Sequence, residues 1–260
     1  PGLGDVPLEA GLQRANQTEG GVRFFLPHEL TFETRGYVNL YKDLRFVDIF
    51  TDPLISDDPR TNPIPAGVLD DSADGKSYGL ELLLQRPFDI GFSTLVSYTL
   101  GFSDLTGRAL LPGMNPSEIL TETFDYTPSY DVRHVMNGVL AWQAKFGLII
   151  SARVFARSGR VEGWLWLDGS GDVQQYVQRV PWFVRLDAQI AYEWAKPGRR
   201  LRVALEWINI TRARDAQQID STDPSAPPEC GLRFGAPSEP CPLTFTDAIW
   251  FPNLSFRAVF

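Results

Sequence analysis

The feature that most constrains this chain is a regular alternation of apolar and polar side chains along segments of about ten residues. In LRVALEWINI (201–210), every second residue from Leu201 to Trp207 is apolar, and Arg202 and Glu206 lie between them. FVRLDAQIAYEW (183–194) follows the same pattern. A period of two residues places alternate side chains on opposite faces of a β-strand. These segments therefore predict strands with one apolar and one polar face.

The same period predicts about nine strands, centred near residues 20, 35, 81, 96, 137, 152, 188, 206 and 254. Most of them run for roughly 10 to 14 residues, whereas strands of globular proteins have about 5 or 6. Such a length is sufficient for a tilted strand to cross a lipid bilayer.

The connections between the predicted strands alternate between two kinds. Short turns are predicted at LPHE (26–29), QRPFD (85–89), AKFG (144–147) and AKPGRR (195–200), and long loops at about 50–76, 104–130, 158–180 and 213–247. Short turns on one side and long loops on the other are typical of bacterial outer-membrane barrels, whose short turns lie in the periplasm. The pattern thus favours an all-β, antiparallel transmembrane β-barrel.

The charged residues fix which face of each strand points inward. An arginine on the lipid face near the bilayer midplane costs about 2 to 4 kcal/mol, so the charged face is expected to line the lumen. The predicted lumen wall comprises Arg153, Arg157, Arg185, Asp187, Glu193, Arg202, Glu206 and Arg257.

Composition agrees with a barrel and argues against other classes. Aromatic residues reach 12% although the mean hydropathy is only −0.14, as expected when only every second residue faces lipid. No apolar run approaches the roughly 18 residues of a membrane-spanning helix. A net charge of −8 argues against nucleic-acid binding. A soluble β-sandwich also alternates, but it does not explain the strand length, the loop asymmetry and the ending NLSFRAVF together.

The direction of the strands predicts that this chain is part of a larger barrel. The strand that ends at Phe260 terminates in the periplasm, and counting back through the turns makes the first strand begin outside the cell. Single-chain bacterial barrels have even strand numbers with both ends in the periplasm. We therefore expect residues 1–260 to be the C-terminal portion of a barrel whose remaining strands lie on the same or a second polypeptide.

Five segments, in order along the chain, resemble TonB-dependent outer-membrane receptors. They are ANQTEGGVRFFLPHELTFETRGYVNLYKDL (15–44), GKSYGLELLLQRPFDIGFSTLVSYTLGFS (75–103), DVRHVMNGVLAW (131–142) with ARSGR (156–160), RLDAQIAYEW with LRVALEWINITRARDA (185–216), and PNLSFRAVF (252–260). The chain is similar to the C-terminal barrel portion of that family over nearly its whole length.

This resemblance implies a barrel of about 22 strands around a plugged lumen. It implies that the plug and the TonB-contacting segment lie N-terminal to the barrel and are absent from this chain. It also implies that the lumen wall mainly contacts the plug, and that the terminal aromatic Phe260 is recognised by the barrel-assembly machinery in the outer membrane of a Gram-negative bacterium.

The two cysteines, Cys230 and Cys241, lie in one long loop and predict a loop-closing disulfide in an oxidising compartment. A metal site is not expected, because His28 and His134 lie in other segments. His134 has no nucleophile placed beside it by a recognisable motif, so it predicts a structural position near the barrel rim. The aspartates of the loop around 52–74 fit no calcium-loop pattern and predict a solvated loop.

Trp164, Trp166 and Tyr176 lie in the loop VEGWLWLDGSGDVQQYV (161–177). As exposed aromatics they could contact a ligand or partner. Alternatively they belong to the upper aromatic girdle or to a small β-ribbon above the barrel.

The sequence thus predicts a protein without catalytic residues or cofactors. The first hypothesis is a TonB-dependent receptor barrel that takes up a bulky, scarce nutrient such as a siderophore, cobalamin or an oligosaccharide. The alternative is a receptor-like barrel that serves as a scaffold or surface anchor in an outer-membrane assembly.

Overall fold

A computed structural model describes residues 14–45, 72–88, 91–107, 124–170, 172–232 and 235–259. Phe260 and the aspartates from Asp52 to Asp71 lie outside the described residues. Within this part no helix is long and apolar enough to cross a membrane.

The chain is all-β, with antiparallel sheets, as predicted. The strands are β1 (Arg14–Leu26), β2 (Leu30–Arg45), β3 (Ser72–Arg86), β4 (Gly91–Gly107), β5 (Phe124–Tyr126), β6 (His134–Gln143), β7 (Leu148–Arg157), β8 (Val161–Leu167), β9 (Val173–Arg179), β10 (Phe183–Lys196), β11 (Arg199–Ile208), β12 (Ala216–Ile219), β13 (Leu243–Phe245) and β14 (Phe251–Val259). One short helix, α1 (Pro228–Leu232), lies between β12 and β13.

Nine strands form one large sheet in the order β1-β2-β3-β4-β6-β7-β10-β11-β14, with β5 paired to β4. Each of the nine predicted strand centres lies within one of them. The short connections β1–β2, β3–β4, β6–β7 and β10–β11 all lie at one edge, which we call the turn edge; the long connections lie at the opposite, loop edge. At the turn edge, Gly198 of the Pro197-Gly198 turn has a φ of 74°, as a type II turn requires.

The strand pairing sorts the side chains of this sheet onto two different faces. Leu205 lies opposite Ile190 on one side and Leu254 on the other, whereas Arg202 lies opposite Glu193 and Arg257. Following the pairs from β1 to β14 gives an apolar face that includes Val22, Phe24, Val38, Leu80, Leu82, Leu84, Val96, Leu140, Trp142, Ile150, Val154, Leu186, Ile190, Leu201, Val203, Leu205, Leu254 and Phe256. The opposite face, which we call the charged face, carries the acidic and basic residues of the strand centres, whereas Lys76, Asp104 and Arg86 lie on the apolar-face side near strand ends.

The apolar face has no second layer packed on it within the described residues. Leu254 and Phe256 are 58% and 68% exposed, and exposed large apolar side chains occur along the whole width of the sheet. The cluster of buried apolar residues lies instead among Trp164, Ile219 and the two cysteines of the long loops. A β-sandwich would bury the apolar face between two sheets, so this arrangement argues against that alternative.

The sheet is not closed into a barrel. Among the described residues, β1 pairs only with β2 and β14 only with β11. Both edge strands run toward the turn edge, because β1 enters the first short turn and β14 is antiparallel to β11, which leaves the last one. Two strands that run in the same direction cannot pair antiparallel, so β1 and β14 cannot close this sheet as a fully antiparallel barrel.

Tyr37 fixes the register of three strands by packing over two glycines. Tyr37 lies opposite Gly79, which lies opposite Gly101. A Cβ atom on Gly79 would lie 2.8 Å from Tyr37 Oη and 2.2 Å from the carbonyl oxygen of Leu100, and one on Gly101 would lie 2.8 Å from the same hydroxyl. Neither position therefore tolerates a side chain while Tyr37 stays in place.

We expect Gly79→Ala to lower the free energy of unfolding by about 1 to 3 kcal/mol, because the backbone contact leaves the methyl group no room. Gly36→Ala is the matched control: its Cβ would have no neighbour nearer than 3.9 Å, and we expect little change. Urea unfolding followed by tryptophan fluorescence measures both. Equal midpoints for the two variants would contradict the close packing of Leu100 and Tyr37 around Gly79.

Candidate functional site

All eight residues predicted for the lumen wall lie on the charged face of the sheet. Arg153 lies directly opposite Asp187, and Arg202 lies between Glu193 and Arg257. The members of the set are Arg153, Arg157, Arg185, Asp187, Glu193, Arg202, Glu206 and Arg257. Whether this face lines a lumen depends on closure of the sheet, which the described residues do not supply.

Several of these side chains contact one another or the adjacent loops. Arg185 forms an ion pair with Asp187 (3.2 Å), and the other carboxylate oxygen of Asp187 accepts a hydrogen bond from the backbone N–H of Asn209 (2.8 Å). Arg157 forms an ion pair with Asp215 at 2.6 Å. Asp187 and Arg157 thus connect the charged face to the chain at the loop edge.

Other arginines of the charged face have no acidic partner among the described residues. Arg202 donates only to the neutral Gln189 (2.9 Å), and it faces Arg257 across the β11–β14 pair. The side chains of Arg153 and Arg257 make no hydrogen bond or ion pair with any described residue. Like charges directly opposite each other destabilise a sheet. The Arg202–Arg257 pair is therefore suited to an anionic or acidic partner.

The charged face of β1 to β3 carries residues that the sequence did not single out. Glu33 accepts from Arg23 (2.6 Å) and Arg35 (3.0 Å), and Arg35 also reaches Glu19 at 3.4 Å. Beside them lies an open concavity lined by Gln17, Thr18, Glu19, Arg35, Tyr37, Asn39, Ser77, Glu81 and Ser103. The period of two in 14–26 and 30–45 is the signal that could have found them.

The loops at the loop edge form a packed structure, which we call the cap: the β8–β9 ribbon, the β12–β13 ribbon and α1. Cys230 and Cys241, the predicted pair, are joined by a disulfide with an S–S distance of 2.04 Å. They pack with Trp164 and Ile219. The cap therefore has its own small hydrophobic core.

The three candidate ligand aromatics are part of the β8–β9 ribbon. Trp164 is only 7% exposed, and Trp166 and Tyr176 are partly buried against the same cluster. The Trp164 indole N–H donates to the carbonyl of Gly235 at 3.1 Å. Because its ring lies inside the cap, Trp164 does not offer the exposed surface that the ligand-contact hypothesis requires; its position matches the small β-ribbon alternative.

Hydrogen bonds from the β8–β9 ribbon hold the rest of the cap in place. The side-chain amide of Gln178 donates to the carbonyl of Cys241 (2.7 Å) and accepts from its N–H (2.8 Å). Arg160 donates to the carbonyls of Ala216 (2.9 Å) and Gln217. Within the β12–α1 connection, hydrogen bonds from the Ser225 hydroxyl and N–H lower the pKa of Asp223 below its usual value.

Asp131 ties the cap to the sheet below it. It is 3% exposed, accepts from the N–H of Ser103 (3.1 Å) and forms an ion pair with Arg179 of β9. A buried carboxylate with these partners costs several kcal/mol to leave unpaired. Asp131 is therefore a structural residue that links β4 to the β8–β9 ribbon.

His134 has the surroundings of a structural residue at the loop edge. Its Nδ1 lies 2.7 Å from the Tyr98 hydroxyl, and its ring stacks on Trp182 at 5.4 Å. The Ser158 hydroxyl accepts a hydrogen bond from the backbone N–H of His134, not from its ring. Among the described residues no group of three or more His, Cys, Asp and Glu side chains could hold a metal ion.

Comparisons of the chain with protein-family models, with curated proteins and with solved structures find no match.

Removal of the disulfide should loosen the cap and leave the large sheet intact. In a Cys230→Ser/Cys241→Ser variant, the 11-residue separation implies a loss of about 2 to 3 kcal/mol for the cap. We expect faster proteolytic cleavage within 220–242, mapped by mass spectrometry, with unchanged β-sheet circular dichroism. A reducing agent should bring the parent protein to the same rate and should not alter the variant. Loss of the sheet signal, or unchanged cleavage, would contradict an autonomous cap core.

Proposed function

We propose that this chain is the C-terminal portion of the barrel of a TonB-dependent outer-membrane receptor that takes up a bulky, scarce nutrient. The observation that carries the proposal is the exposed apolar face that extends over all nine strands and lies opposite the charged face. Exposed apolar patches on soluble monomers rarely exceed a few hundred Å². A bilayer is the environment that covers such a face without a second protein layer.

The spacing of the aromatic residues supports a membrane of ordinary thickness. Trp194 lies on the apolar face of β10, and Trp182, immediately before β10, has the same parity. The two residues are 12 positions apart. At a rise of about 3.3 Å per residue and a tilt of about 45°, this corresponds to about 28 Å along the membrane normal. The apolar band of outer-membrane barrels is about 25 Å tall and flanked by aromatic girdles.

The open edges support a larger barrel. Since β1 and β14 run in the same direction, antiparallel closure requires an odd number of additional strands between them. A barrel of 22 strands, as the resemblance implies, would add 13 to the nine of this chain, which satisfies the parity. In this proposal the turn edge lies in the periplasm and the cap lies outside the cell.

The arginines without acidic partners support a filled lumen. Arg202 and Arg257, which face each other across the β11–β14 pair, would face the plug of the complete receptor, whose carboxylates would neutralise them. TonB would act on the missing N-terminal part, and the barrel-assembly machinery would recognise the terminal strand with Phe260. The packed cap is also compatible with the alternative function, because a cap that buries Trp164 suits a rigid scaffold or surface anchor as well as a receptor.

The lipid-facing assignment predicts different outcomes for two adjacent substitutions in β14. Leu254→Arg introduces a charge on the apolar face and should cost about 2 to 4 kcal/mol, with loss of assembled protein. Ser255→Arg introduces the same charge at the next position, on the charged face, and should assemble normally. Outer-membrane fractionation with quantitative immunoblotting measures both. Equal levels of the two variants would contradict the assignment.

Nutrient uptake tests the function itself. We expect deletion of the gene for the protein that carries this chain to abolish growth on at least one scarce nutrient from a panel of iron chelates, cobalamin and oligosaccharides. Growth should be lost equally when TonB is removed. Unchanged growth on the whole panel, together with loss of a stable outer-membrane assembly, would overturn the transport function in favour of the scaffold.

A further inference from the structure

The turn that follows β11, residues 209–213, is held rigidly by Asn209. This residue is buried and has a φ of 54°. Its side-chain amide donates to the carbonyls of Ala213 (3.2 Å) and Ile249 (2.9 Å), and its oxygen accepts from the N–H of Ala213 (2.9 Å). The Thr211 hydroxyl adds a hydrogen bond to the carbonyl of Val184 in β10 (3.2 Å). The turn therefore presents its side chains in a fixed position at the loop edge.

Arg212 of this turn lies against a pair of tryptophans. Its guanidinium carbon lies 4.6 Å from the centre of the Trp250 ring. Trp250 in turn stacks on Trp207 at 6.0 Å, and Trp207 belongs to the apolar face. A cation and two indole rings thus meet where the apolar face ends.

The hydrogen-bonding capacity of Arg212 is available to a ligand. Arg212 is exposed, and its side chain makes no hydrogen bond or ion pair with any described residue. Stacking on an indole ring orients the guanidinium group but leaves its N–H donors free at the edge. A planar, oriented fork of donors matches a phosphate group, which it can bind through two parallel hydrogen bonds.

We propose that Arg212, Trp250 and Trp207 form a binding site for the phosphate-bearing headgroup of an anionic lipid in the leaflet at the loop edge. The inference rests on the proposed function, because it requires the apolar face to lie in a bilayer. The continuity of Trp250 and Trp207 with the apolar face indicates a lipid and not a free phosphate ion, since the adjoining apolar part of the same molecule would lie on that face. Tryptophan is enriched at this depth, and basic residues near a membrane surface attract anionic headgroups.

Lipid binding by the complete protein, purified from outer membranes in detergent, tests the proposal. Native mass spectrometry would count bound diphosphoryl lipid A on the parent protein and on the Arg212→Gln, Arg212→Lys and Arg214→Gln variants. Arg214→Gln is the matched control, because Arg214 is exposed on the same connection and the substitution removes the same charge. Circular dichroism confirms that each variant is folded.

We expect Arg212→Gln to weaken lipid A binding about tenfold, Arg212→Lys to weaken it less, and Arg214→Gln to leave it near the parent value. Dephosphorylated lipid A should bind the parent protein and Arg212→Gln equally. Three results would each overturn the proposal: equal binding of lipid A by the parent and Arg212→Gln, an equal loss in Arg214→Gln, or binding of inorganic phosphate as tight as that of lipid A. Absence of the parent protein from the outer-membrane fraction would instead overturn the proposed function.

Discussion

An extended apolar face without a protein layer to cover it is the constraint on which the rest of the structure depends. Burial of apolar surface is the dominant favourable term in folding, at roughly 25 cal/mol per Å². This nine-stranded sheet leaves Leu254, Phe256 and their neighbours exposed. It therefore lacks the favourable free energy of apolar burial unless something other than this chain removes these side chains from water. A bilayer would do so, and it would require the charged residues of the strand centres to lie on the opposite face, as those of β7, β10, β11 and β14 do.

The free edges of the sheet impose a second requirement. Edge strands present unpaired backbone N–H and C=O groups, and in the apolar part of a bilayer each such group costs several kcal/mol. Both β1 and β14 are long edge strands among the described residues. Because β1 and β14 run in the same direction, they cannot pair antiparallel with each other within one chain. For the same reason, β14 of one copy cannot pair antiparallel with β1 of a second copy in the same orientation. Additional strands in odd number meet the requirement, which is why we favour a larger barrel.

The period of two residues was sufficient to predict the large sheet, because every strand in it has one apolar face and one polar or charged face. It also placed Arg202, Glu206 and Arg257 on one face, since parity alone decides that. The cap could not be predicted in the same way. Trp164 is buried by Ile219 and the disulfide, and its indole N–H donates to the carbonyl of Gly235. These partners lie 55 to 77 positions after Trp164 along the chain. Such contacts between distant loops produce no periodic pattern in the sequence. The sequence therefore did not decide between a ligand contact, the aromatic girdle and a small β-ribbon for Trp164.

The most direct test of this account is the alternation of environments along β11 in the native membrane. Spin labels would be attached to single cysteines introduced at positions 201 to 207 of the complete protein; Cys230 and Cys241 are joined in the disulfide and do not take up the label. We predict that labels at 201, 203, 205 and 207 collide with oxygen dissolved in lipid, whereas those at 202, 204 and 206 are shielded from lipid. Equal accessibility to a water-soluble quencher at every position, or no alternation at all, would contradict a membrane-embedded apolar face.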